Sequence, residues 1–182
     1  MEQGLFWAAH EGKVVEVKDI LRGNLGLNVN WRNEGENGTT ALLRACRHGR
    51  DAIVSILLAH PDIDVNQKDD DGYTAFMWAC TNGKSVCVRL LLGDSRVEVN
   101  EPRNDGSTPL WWAASRGHLD PVRWWIASGR ALDLGQPGGK KTDAIGRARE
   151  KGNDEVRALL ERFKNDAAKT RDGVKKELGI NG

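Results

Sequence analysis

The chain has 182 residues, of which 39% are hydrophobic and 29% are charged. This composition is too apolar for a solvated, disordered chain, and the length suits one domain or a short array of small units. A formal net charge of +1 provides no broad positive field, which argues against nonspecific binding to nucleic acid or to an anionic membrane. Two residue types are unusually common, with 21 glycines and 7 tryptophans beside a single tyrosine.

The first residues, 1–7, lack the basic and apolar regions of a secretory signal, and no apolar run approaches the length of a membrane span. We therefore expect a cytoplasmic protein outside the membrane, with a nuclear location as the alternative. Three cysteines, Cys46, Cys80 and Cys87, form no C-x-x-C pair and have no histidines at zinc-ligand spacing. They predict reduced core residues and no metal site.

A repeated pattern accounts for many of the glycines. Gly12, Gly49, Gly83, Gly117 and Gly152 lie 37, 34, 34 and 35 residues apart. A short apolar stretch precedes each of the three central glycines, and a second apolar stretch follows it. Regular spacing of this kind is typical of repeat proteins.

Each repeat predicts two helices joined by a tight turn and followed by an extended finger. Thr40, Thr74 and Thr108 stand where a hydroxyl can cap the first turn of a helix. The turn glycine supplies the left-handed residue that ends this helix. Neither helix can bury its apolar face alone, so successive pairs must stack. The predicted fold is therefore an all-α solenoid of stacked helix pairs with β-hairpin or loop fingers.

These residues resemble the ankyrin-repeat family, whose unit of about 33 residues carries the signature T-P-L-H-x-A. The matching segments are 40–46, 74–80 and 108–114. Leu43, Met77 and Trp111 replace the signature histidine, so apolar packing is expected in place of polar bonding between repeats.

The resemblance also predicts the division of the chain. The units are an entering half-repeat at 1–30, full repeats at 31–66, 67–100 and 101–135, and a degenerate capping repeat at 136–163. Residues 164–182 form a polar extension, in which Val174 and Leu178 are four residues apart and favour a short helix on the last repeat. A free tail is the alternative. We expect the stack to be a monomer.

Two segments look like catalytic or metal-binding motifs but fail at a required position. Gly83-Lys84-Ser85 ends like a nucleotide-binding loop, yet the glycine required five residues earlier is Trp78. Asp69-Asp70-Asp71-Gly72 begins like a calcium loop, whose closing glutamate would also fall at Trp78. The sequence therefore predicts a protein that is not an enzyme and that holds no cofactor and no metal.

The resemblance implies a concave groove that binds a protein or peptide partner, built from finger tips and first helices. The expected finger residues are Asp70, Asp71, Tyr73, Asn104, Asp105 and Ser107. The expected helix residues are Arg44, Arg47, His48, Trp78, Thr81, Asn82, Trp112, Ser115 and Arg116. Acidic fingers facing mildly basic helix ends would orient a bipolar partner. Simple solvation of charged loop tips is the alternative.

Arg44, Trp78 and Trp112 occupy one equivalent helical position and predict a line across the stack, in residue types that are enriched at binding hot spots. The alternative is that the two indoles are half-buried spacers between helices. Trp111, Trp124 and Trp125 are expected in the core.

Two further readings use the same repeats. Trp78 and Trp112, with Tyr73 and an acid at Asp71 or Asp105, could form an aromatic cage for methylated lysine. Separately, Asn66 and Asn100 are similar to asparagines that are hydroxylated in ankyrin repeats. The alternative for these asparagines is a side-chain hydrogen bond that pins the turn.

Overall fold

The computed structural model describes residues 1–24, 26–135, 138–139 and 142–180. These residues form eleven α-helices, so the all-α prediction is confirmed. None of the described helices is long and apolar enough to cross a membrane. The helices are α1 (Glu2–Glu11), α2 (Val14–Gly23), α3 (Ala41–His48), α4 (Asp51–Leu58), α5 (Ala75–Thr81), α6 (Ser85–Leu92), α7 (Pro109–Arg116), α8 (Leu119–Ser128), α9 (Ala144–Glu150), α10 (Asp154–Asn165) and α11 (Ala167–Glu177).

Local signals start and end the first helix of each full repeat. The hydroxyls of Thr40, Thr74 and Thr108 each accept a hydrogen bond from the backbone N–H three residues later, at 3.2 or 3.3 Å. The glycines after α3, α5 and α7 have φ angles of 65° to 72°. Residues with a Cβ atom rarely adopt this left-handed conformation. The predicted capping and turn residues are therefore confirmed.

The helices form two layers. Helices α1, α3, α5, α7 and α9 pack side by side in an inner layer, while α2, α4, α6 and α8 form an outer layer. Leu43, Met77 and Trp111, which replace the signature histidine, are 1%, 0% and 7% exposed. Apolar packing between repeats thus stands where the family's polar residue would be at Leu43 and Met77, whereas Trp111 Nε1 still donates a hydrogen bond to the carbonyl of Thr142 at 3.1 Å.

The three cysteines are free and buried, as the sequence predicted. Burial raises the pKa of the Cys46 and Cys80 thiols well above its ordinary value. These thiols are inert core groups, since the reactive thiolate form is disfavoured.

The fingers are loops that connect the outer layer to the next inner helix. One backbone hydrogen bond of 2.9 to 3.1 Å closes each of the three fingers. Only Asn33 and Thr39 form a β-bridge among the described residues, so the hairpin form of the prediction is not seen. The first finger is longer and holds a single 3-10 turn, Glu34–Glu36.

The repeat asparagines bond across repeats. Asn66 donates from Nδ2 to the carbonyl of Arg96 and accepts from the N–H of Glu98, both at 2.8 Å. Asn30 and Asn100 make the equivalent pairs of bonds to the following repeat. The side chain therefore pins the next repeat, whereas the sequence suggested that it would pin its own turn.

The C-terminal segment continues the stack and then covers it. Helices α9 and α10 pack on α7 and α8, and α11 packs on α8 and α10. Val174 in α11 is fully buried, and Arg171 Nε donates to the carbonyl of Ile126 at 3.2 Å. The extension forms a docked helix over 167–177. The predicted start of the capping repeat, at 136–137, and the last two residues of the chain lie outside the described residues.

Candidate partner-binding groove

A cavity of about 310 Å³ opens between the first two fingers and helices α3 and α5. Arg44, Arg47 and Trp78 line it from the helices, and Asp69 and Asp71 line it from the second finger. The fold thus brings four of the predicted binding residues together. Asp69 is an addition that sequence reasoning missed.

The indole of Trp78 lies in an aromatic stack, formed by Arg47, Trp78, Tyr73 and Arg103. The Tyr73 ring stacks on the Trp78 ring with centroids 4.1 Å apart and planes 18° apart. Arg47 lies 4.5 Å over Trp78, and Arg103 lies 4.6 Å over Tyr73. Because the two rings cover one face of each other, the guanidinium groups must lie on the outer faces. This layered arrangement joins three successive repeats.

Asp69 anchors the aromatic stack through two hydrogen bonds. It is 6% exposed and accepts hydrogen bonds from Trp78 Nε1 at 2.9 Å and from the N–H of Tyr73 at 2.8 Å. Burial raises the pKa of this carboxyl, and the two hydrogen bonds oppose that rise. In the sequence, Asp69 stood out only as the first residue of a failed calcium motif, which carried no signal for this buried role.

Trp112 is held in a similar way in the third repeat. Its Nε1 donates to Ser107 Oγ at 2.8 Å, and the ring meets Trp111 edge to face at 5.2 Å. Arg116 lies 5.8 Å over the Trp112 ring. A finger side chain therefore orients each of the two groove indoles.

Arg44, the third residue of the predicted tryptophan line, is more buried than the two indoles. It is 6% exposed, pairs with Glu36 and lies 5.3 Å over the Phe6 ring. Among the residues that the structure describes, its Nε has no hydrogen-bond partner. Burial and the neighbouring Arg47 charge lower the pKa of Arg44. Arg44 lines the same cavity as Trp78, but its contact with the entering half-repeat leaves it less exposed than the two indoles, and the three-membered binding line stays a prediction.

The predicted contact residues differ widely in exposure, and the buried ones support the groove without reaching its surface. Tyr73, Thr81 and Ser107 are only 8%, 1% and 0% exposed, so they offer little or no surface for the direct contact with a partner that the sequence predicted. Exposed are Arg47, Asp70, Asp71, Asn104, Asp105 and Arg116; half-buried are His48, Trp78, Asn82, Trp112 and Ser115.

The expected contrast between acidic fingers and basic helix ends is only half present. Exposed finger acids have a basic partner within 4 Å, because basic residues at the finger bases reach them. The expected contrast considered the residues at the finger tips, and most of the basic residues at the finger bases were not among them. The cross-finger pairs are Arg32 with Asp70, Arg103 with Asp71 and Lys68 with Glu101.

The helix ends carry the positive charge that the sequence predicted. Among the described residues, neither Arg47 nor Arg116 has an acidic partner within 4 Å. Beside Arg47, the half-buried His48 packs against His10 with ring centroids 4.5 Å apart. Burial, and then the charges of His10 and the nearby arginines, lower the pKa of His48 to about 4. The helix side of the groove thus carries positive charge and a neutral imidazole.

The aromatic-cage geometry is not formed. A cage for a methylated cation needs open ring faces, and both faces of Trp78 are covered by Tyr73 and Arg47. Trp112 has Arg116 over its ring. The guanidinium groups would also repel the cation that such a cage holds.

The other tryptophans divide between core and surface. Trp125 is fully buried and Trp111 is 7% exposed, as predicted for core residues. Trp124 is only half-buried on α8, with Arg89 lying 5.4 Å over its ring. Its predicted place in the core is therefore only partly realised.

Comparison with known families agrees with this architecture. The family profile described as "Ankyrin repeats (3 copies)" matches residues 2–69 and 62–133. The chain therefore belongs to the ankyrin-repeat family. Proteins of this family generally serve as protein–protein interaction modules. No curated protein matches the chain.

Proposed function

We propose that this protein is a non-enzymatic interaction module that binds a protein or peptide partner in its concave groove. The observation that carries the proposal is the aromatic stack beside the cavity of about 310 Å³. Partly exposed tryptophan and arginine side chains are typical of binding hot spots. Here they are fixed before any partner arrives, which lowers the entropy lost on binding.

The setting of the proposal is a monomer in the cytoplasm or nucleus. Three buried, free cysteines suit a reducing compartment. A net charge of +1 favours a protein partner over nucleic acid, whose binding depends on many phosphate contacts.

The test compares two groove tryptophans with one outer tryptophan. Tagged wild type, Trp78→Ala/Trp112→Ala and Trp124→Ala are used for affinity capture, with quantitative mass spectrometry as the readout. We expect partners to be lost from the double variant and retained by Trp124→Ala, which removes a half-buried indole of the outer layer. Thermal melts show that each variant is folded at the capture temperature. Equal recovery of the same partners by all three proteins would contradict groove binding.

A further inference from the structure

Two exposed arginines on the helix side of the groove lack an acidic partner among the described residues. Arg47 is the second-last residue of α3, and Arg116 is the last residue of α7. The other groove arginines differ, since Arg44 pairs with Glu36, and Arg147 lies 3.2 Å from Glu150. Arg47 and Arg116 therefore keep their charge and their N–H groups available to a partner.

Both arginines lie over the ring of an indole. The Arg47 guanidinium carbon lies 4.5 Å from the Trp78 ring centroid, and that of Arg116 lies 5.8 Å from the Trp112 centroid. Stacking on a ring leaves the edge of the planar guanidinium open, and this edge matches a carboxylate through two parallel hydrogen bonds. Because the indoles are bonded to Asp69 and Ser107, the arginines rest on fixed supports.

The aspartates that line the cavity beside Arg47 already have partners of their own. Asp69 is buried and bonded to Trp78 and Tyr73. Asp71 faces Arg103 at 3.7 Å. An acidic ligand at Arg47 would therefore meet an unpaired cation beside acids that already have partners.

We propose that the groove recognises an extended acidic segment of its protein partner, with one carboxylate on Arg47 and a second on Arg116. This inference rests on the proposed groove function and assigns the chemistry of the partner. Arginine clusters that bind acidic motifs use the same paired hydrogen bonds. Salt screens the attraction between exposed opposite charges, so binding should weaken as the salt concentration increases.

The repeat spacing predicts the spacing of the two acids. Helices α3, α5 and α7 are successive neighbours in the inner layer, and packed helices lie about 8–10 Å apart. Arg47 and Arg116 are thus separated by about 16–20 Å along the groove. An extended chain rises about 3.3 Å per residue, and side chains an even number of residues apart share one face. The partner segment should carry acids about six residues apart.

The experiment selects peptides from a random 12-residue display library on the full chain. We expect the enriched peptides to contain Asp or Glu pairs about six residues apart. Fluorescence anisotropy with a labelled selected peptide then compares wild type with Arg47→Gln/Arg116→Gln. The double variant should bind about tenfold more weakly or worse. Arg89→Gln is the matched control, because Arg89 also lies over a tryptophan but on the outer layer, and it should bind like wild type.

The outcomes separate this inference from the proposed function. Selected peptides without acids, or equal affinity for the arginine double variant, would overturn acid recognition. Groove binding would still stand if the same peptides lost affinity for Trp78→Ala/Trp112→Ala. If no selected peptide depends on either tryptophan, both proposals fail. A single-stranded oligonucleotide that binds more tightly than the peptides, through Arg47 and Arg116, would also overturn the peptide assignment.

Discussion

The groove side and the outer side of the stack each place an arginine over a tryptophan, in different surroundings. On the groove side, Trp78 lies between Arg47 and Tyr73, and its Nε1 donates to Asp69. On the outer side Arg89 covers Trp124, which has no hydrogen bond at Nε1 and no ring partner among the described residues.

The fingers create this difference. Asp69 and Ser107, which hold the two groove indoles, both belong to fingers, and no finger reaches the outer layer in this way. An arginine over a tryptophan therefore does not define a site by itself. Among the described residues, the groove side combines a cavity with a ring held by hydrogen bonding, whereas the cavity beside Arg89 on the outer side adjoins no ring held in this way.

The largest loss of stability is expected from substitution of Trp125, a buried residue of α8. Trp125 is fully buried, meets Phe76 edge to face at 4.9 Å and donates to the carbonyl of Ala131 at 3.1 Å. Trp125→Ala should lower the free energy of unfolding by about 3–5 kcal/mol through the cavity it leaves. Urea denaturation measures this change. Trp124→Ala is the control, and an equal loss there would show that burial does not separate these neighbouring indoles.

A smaller loss is expected in the aromatic stack. Trp78→Ala removes the ring contacts and leaves the buried Asp69 with one hydrogen bond fewer, so the free energy of unfolding should fall by about 2–3 kcal/mol. Trp78→Phe keeps an aromatic ring and loses only the donor, and it should cost about half as much. Equal destabilisation by both substitutions, measured in urea, would mean that the stacked rings add no stability.

The asparagine hydrogen bonds between repeats should contribute less to the free energy of unfolding than the aromatic stack does. Asn66→Ala removes both bonds to the next repeat and should cost about 1–2 kcal/mol. The backbone N–H of Glu98, which donates to Asn66 Oδ1, should also exchange faster with solvent. Hydrogen exchange followed by NMR tests this locally, with the exposed Ser55→Ala as a control. Unchanged protection at Glu98 would contradict the role assigned to the asparagine.

The smallest effect is a dependence of stability on pH. The folded protein lowers the pKa of His48 to about 4, while the unfolded chain takes up the proton near the ordinary value of about 6.5. Acid therefore favours unfolding, and stability should be lost as pH falls from about 6.5 towards about 4. We expect a loss on the order of 1 kcal/mol between pH 7 and pH 5. In His48→Gln this part of the pH dependence should disappear; an unchanged profile would assign it to other groups.

Much of the fold could be read from the residues. Thr40 and Gly49 act on backbone groups within four residues of themselves, so their roles follow from spacing alone. The site was harder to predict. Arg44 and Trp78 share one repeat position and line the same cavity, but Arg44 is buried against Phe6 while Trp78 is half-buried. Position in the repeat could not distinguish them, because their surroundings come from neighbouring repeats.

The sequence by itself determined the ankyrin-repeat architecture, the helix caps and the turns, since these depend on local geometry that recurs in each unit. Only the tertiary structure decided which charges are paired and which rings are covered. Arg32 meets Asp70 from 38 residues away, and Arg103 covers Tyr73 from the next repeat. Contacts of this kind require the register of the stack and the direction of long side chains. They leave Arg47 and Arg116 as the cations that define the proposed groove.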